Sequence, residues 1–85
     1  MRVVLVDIKR IQDGENLLVK VAIGEDVHEF PMEVDVEGEI HVLKHRRDFD
    51  TKFTQRLDLS VFISQLVLKA YQGETVDFPV KISEI

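Results

Sequence analysis

The chain has 85 residues, a hydrophobic fraction of 45%, no cysteine and a formal net charge of −5. That length suits one small domain, the lack of cysteine excludes disulfides and thiolate metal sites, and the acidic balance argues against generic binding to polyanions. Charges at Asp7, Lys9 and Arg10 break the first apolar run, and no run approaches the roughly 20 apolar residues of a membrane span, so we expect a cytoplasmic protein with no membrane partner.

The first strand carries Val4, Val6 and Ile8 inward, alternating with Leu5, Asp7 and Lys9. Asp13-Gly14 is the preferred pair for a two-residue type I′ hairpin. Leu17, Val19, Val21 and Ile23 then alternate again, and the hairpin predicts the pairs Ile8–Val19, Val6–Val21 and Val4–Ile23. A turn at Glu25-Asp26 leads to a third strand with His28, Phe30, Met32, Val34 and Val36 inward and Glu29, Pro31, Glu33 and Asp35 outward. That turn predicts Val21–Phe30, Val19–Met32 and Leu17–Val34. A three-residue loop, Glu37-Gly38-Glu39, sets Ile40 and Val42 of a fourth strand against Val36 and Val34. Pro31 cannot donate to a ladder, so the fourth strand must stop near Lys44 and leave it uncovered.

Residues 48–57 read as a long irregular connection. After Arg56 the period becomes helical: Leu59, Phe62, Ile63, Leu66, Val67 and Ala70 share one stripe, with Asp58 as N-cap, Gly73 just past the end, and a helix from about Leu59 to Gln72. A last strand has Val76, Phe78, Val80 and Ile82 inward, with Pro79 at an edge. The order is therefore ββββαβ, a single α+β domain over residues 1–85 with an antiparallel sheet and one helix on one face. The spatial order 5-1-2-3-4 is favoured over a parallel crossover beside strand 4, because Val3 and Leu5 make the first strand apolar on both faces, as a central strand requires.

One basic cluster interrupts the acidic chain. Lys44, Arg46, Arg47, Lys52 and Arg56 stand against Asp48 and Asp50, while Glu25 to Glu39 holds seven carboxylates and no Lys or Arg. Cations interleaved with Phe49 and Phe53 suit phosphate contacts with base stacking. The plainer reading makes both rings anchors for the loop and balances the charge locally, with Glu29 opposite Arg47 beside His45.

The acidic strand does not read as a metal site, because Glu29 and Glu33 lie about 13 Å apart along one face. His41 and His45 are separated in the same way, so no metal is implied. Ser60, Ser64, Thr51, Thr54 and Thr75 lack a nucleophile-elbow context. Gly14, Gly24, Gly38 and Gly73 fall at turns and not in a phosphate loop. No catalytic residue and no cofactor is implied.

What remains is apolar surface. Val3, Leu5, Leu18 and Leu43 fall on the outer sheet face, and Val61, Leu68 and Tyr71 on the back of the helix. The expectation is a non-catalytic protein-interaction domain that self-associates as a dimer or binds another protein through these residues. The alternative is a nucleic-acid-binding domain using the basic segment.

Overall fold

The computed structural model describes residues 2–11, 16–38, 40–44 and 47–84. The elements in chain order are β1 (Arg2–Ile11), β2 (Asn16–Ile23), β3 (Asp26–Glu37), β4 (Ile40–Lys44), α1 (Arg47–Lys52), α2 (Leu57–Tyr71) and β5 (Val80–Glu84). The five strands form one antiparallel sheet in the order β4-β3-β2-β1-β5, as expected, with α2 across one face.

Far from β5, the first hairpin keeps its expected register: Ile8 opposes Val19 and Lys9 opposes Leu18. Its turn at Asp13-Gly14 lies outside the described residues. Between Leu5 and Asp7 the register shifts, so Val6 and Asp7 together oppose Lys20, and Leu5 now faces Val21. One extra residue reverses the inward–outward alternation for everything before it. Val3 and Leu5 therefore point into the core and are fully buried, while Val4 and Val6 take the outer face. This corrects the expected placement of Val3 and Leu5 on the outer sheet. The Asp7 carboxylate accepts a hydrogen bond from the Ile8 backbone N–H (2.9 Å), so a side chain satisfies a donor beside the bulge.

The next two turns also differ from expectation, with opposite consequences. β2 and β3 are joined by Gly24-Glu25, because Gly24 supplies the positive φ (+63°) that a tight hairpin loop needs at its first position. The register moves by two: Val19 opposes Phe30 and Leu17 opposes Met32. An even shift leaves every side chain on its expected face. At the third turn Glu37 pairs with Ile40, a loop of two residues where three were expected, with Gly38 at φ +64°. This odd shift sets Leu43 against Val34 and turns it into the core. Leu43 is thus also corrected from outer face to core. β4 ends opposite Glu33 and leaves Pro31 uncovered, as its missing N–H demands.

The connection expected to be irregular contains α1. Six residues cannot sustain a helix alone; Phe49 and Phe53 hold it down. Both are fully buried, Phe49 meets Phe30 edge-to-face at 5.4 Å, and the two rings of the loop lie 4.9 Å apart.

α2 begins after Arg56, which caps it without a side-chain bond; Asp58 lies inside the first turn and is not the cap. At the other end the Gly73 N–H donates to the Ala70 carbonyl (3.1 Å) and the Glu74 N–H to the Lys69 carbonyl (3.0 Å), with Gly73 at φ +88°. That pair of bonds closes the helix as a Schellman motif. The buried residues of α2 are Leu59, Ser60, Ile63 and Val67, with Leu66, Leu68 and Tyr71 packed at the margins. Phe62, expected inward, is 47% exposed. The helix is thus rotated by about one row from the expected stripe.

β5 starts at Val80, later than expected, and Pro79 is exposed just before it at the sheet edge. Phe78, Val80 and Ile82 pack against the core as expected.

The bulge makes a measurable distinction within β1 and β2. Leu5→Ala should lower unfolding free energy by about 2–5 kcal/mol in urea titrations, the range for a large-to-small change in a core. Leu18→Ala, half-buried on the open face, should cost about 1 kcal/mol or less. Equal losses at the two positions would contradict the bulged register.

Candidate functional site

Seven residues were expected to form an apolar contact surface, and the fold distributes them unevenly. Val3, Leu5 and Leu43 are core. Leu18 stays on the open sheet face, half-buried. Of the helix residues only Val61 is truly outside, at 54% exposed. Leu68 and Tyr71 are half-buried and packed against the core. The Arg10 guanidinium lies over the Tyr71 ring, 4.9 Å from its centroid, and Arg10 Nη2 donates to the Tyr71 carbonyl at 2.7 Å. Tyr71 therefore fastens the end of α2 to the end of β1.

The rotation of α2 replaces the lost residues with two others. Leu57 is 64% exposed, and Phe62 joins it with Val61 within the first two turns. Three of the four exposed large hydrophobic side chains among the described residues lie in this short span; the fourth, Val27, is on the sheet. At 3.6 residues per turn, Asp58, Phe62, Gln65 and Lys69 run along the crest of the helix. Leu57, Val61 and Leu68 line one flank, and Leu66 lies on the other. The signal was present in sequence as Leu57 and Val61 at i and i+4 beside Phe62, but that spacing fits a core stripe equally well.

A charged pair edges this ridge. Arg56 donates twice to the Asp58 carboxylate, Nε to Oδ1 at 3.1 Å and Nη2 to Oδ2 at 3.0 Å. The hydrogen bonds from the guanidinium hold the Asp58 carboxyl below the ordinary aspartate value, and the same pairing raises Arg56.

The open sheet face is a set of cross-strand rows. Val4, Ala22 and Val27 form an apolar row; Asp7, Lys20 and Glu29 form a row of alternating sign; Lys9, Leu18 and Pro31 form a third. Charge is balanced here, although not through the expected pair. Glu29 opposes Lys20, and Arg47 begins α1 instead of extending β4. Glu33 opposes Lys44 in the register of β3 and β4. His45 and Arg46 lie outside the described residues.

The basic segment loses its stacking surface in the fold. Phe49 and Phe53 are buried, Arg56 is engaged by Asp58, and Lys52 is exposed. A concavity of about 300 Å³ lies beside the β1–β2 hairpin, with Ile11, Asn16, Pro31, Met32 and Glu33 on its walls. Among the described residues its walls offer one carboxylate, Glu33, with amide and apolar groups. Among the described residues no three His, Asp or Glu side chains gather as metal ligands would, and no helix is long and apolar enough to cross a membrane.

The Arg56–Asp58 pair has a sign that can be checked. A ¹³C NMR titration should find Asp58 below the ordinary aspartate value, and Arg56→Ala should move it back up. Because the folded-state value is depressed, the pair contributes stability above the unfolded aspartate value of about 3.9 and loses it as pH falls through the folded value. An unchanged Asp58 titration in Arg56→Ala would show that the guanidinium does not lower it. Comparison of the chain with known protein families and with curated proteins finds no match.

Proposed function

We propose that this chain is a non-catalytic protein-interaction domain that self-associates through the exposed ridge of α2. The observation carrying this reading is the exposure of Leu57, Val61 and Phe62 on a helix whose opposite side already fills the core. Burying a large apolar side chain is worth about 1.5–3 kcal/mol. Three such groups grouped within two turns are a standing source of free energy for association. Apolar side chains interleaved with polar ones, here Asp58, Gln65 and Lys69 along the crest, have the make-up of a protein contact surface. The open sheet face supports the reading less well, because a charged row separates the apolar row of Val4, Ala22 and Val27 from Leu18 and Pro31.

The nucleic-acid alternative has less support. Stacking on bases needs exposed rings, and neither Phe49 nor Phe53 is exposed.

Sedimentation velocity over a concentration series tests the proposal. The native chain should associate, and Phe62→Asp and Val61→Asp should each sediment as monomers. Both variants should stay folded and melt close to the native chain at dilutions where that chain is monomeric, since neither side chain lies in the core. A native chain that remains monomeric at millimolar concentration would refute the reading, as would a dimer indifferent to both substitutions.

A further inference from the structure

The pattern of the α2 crest points to a particular partner geometry. We infer that the ridge docks against the α2 ridge of a second copy, antiparallel, about a two-fold axis that passes between Ile63 and Ser64. The inference rests on the self-association reading above and specifies its geometry.

The crest is self-complementary about that point. Asp58 and Lys69 lie equally far from it, as do Phe62 and Gln65. Eleven residues make about three helical turns, so Asp58 and Lys69 fall on nearly the same line along the helix. In an antiparallel pair Asp58 of each copy therefore faces Lys69 of the other. The two Phe62 rings come within about 5 Å of each other along the helix axis, at 1.5 Å rise per residue. Val61 lies beside Leu68 of the second copy, which covers the half-buried flank.

Charge selects this orientation over the parallel one. Parallel helices in register would set Asp58 against Asp58 and Lys69 against Lys69, and like charges across an interface are costly. Antiparallel packing replaces both repulsions with attractions and opposes the helix dipoles as well. Asp58 retains Arg56 of its own chain, so its carboxylate bridges two cations. The contact is isologous: the same patch is used on both sides, and assembly stops at two.

Charge reversal tests the orientation apart from the surface. Asp58→Lys and Lys69→Asp should each weaken the homodimer about tenfold, because each creates two like-charge pairs. An equimolar mixture of the two variants should recover native-like association, since the mixed dimer contains two opposite-charge pairs. Asp58→Asn and Lys69→Gln should weaken it less, and circular dichroism melts would identify any variant that fails to fold. If neither charge reversal alone weakens the dimer, as a parallel pair would have it, or if the mixture does not recover, while Phe62→Asp still abolishes the dimer, the antiparallel arrangement is wrong and the ridge reading stands. If Phe62→Asp and Val61→Asp both leave the dimer intact, both are wrong.

Discussion

The architecture depends on one inserted residue in β1. A strand alternates its side chains with period two, so a single bulge exchanges one face for the other. The shift between Leu5 and Asp7 divides β1 into two halves that obey opposite parities. The half near β5 sends Val3 and Leu5 into the core, and the half near the first hairpin sends Ile8 there. Without the bulge, the apolar face of β2 would meet an inward face built from Val4 and Val6, and Leu5 would lie in water. Both arrangements are apolar, so the strand tolerates either. The β5 contact falls on the bulged half, where Leu5 pairs with Val80 and Val3 with Ser83.

The helix layer rests on that sheet in two pieces of unequal independence. α1 is too short to persist by propensity and exists because Phe49 is driven against Phe30 and Phe53 against Phe49. α2 is long enough to form on its own pattern and carries its own stop signal at Gly73. Its rotation is a different matter. Leu57, Leu59, Val61, Phe62, Ile63, Leu66, Val67, Leu68, Ala70 and Tyr71 surround most of the helix, so several stripes would serve as the buried one. Tyr71 fastened to Arg10 at one end, and Leu59 buried at the other, fix which stripe faces down. The ridge of Leu57, Val61 and Phe62 is what remains above.

This gives the surface a structural origin. A helix with more apolar residues than one face can bury must expose the surplus or share it with a partner. The surplus is concentrated where α2 leaves the loop, beside the bidentate Arg56–Asp58 pair, and the far end of the same crest carries Lys69. Acid at one end and base at the other also complement the helix dipole within a single chain. The same arrangement therefore serves the monomer and an antiparallel pair. The basic segment follows a different logic: its aromatic residues are used to anchor the loop.

Local chemistry in the sequence determined a good deal. The strand count, the helix, the ββββαβ order and the place of β5 beside β1 follow from periodicity, turn residues and the doubly apolar first strand. Pro31 predicted where β4 must stop and Pro79 an edge position, because a missing N–H is a local property. Tertiary structure alone decided the parities. Val3, Leu5 and Leu43 moved into the core through a bulge and a loop shorter by one residue, and neither event is visible in an alternating run that is apolar on both sides. Only packing decided which side of α2 remained outside, because burial is a competition among faces and the sequence offers several that could win it.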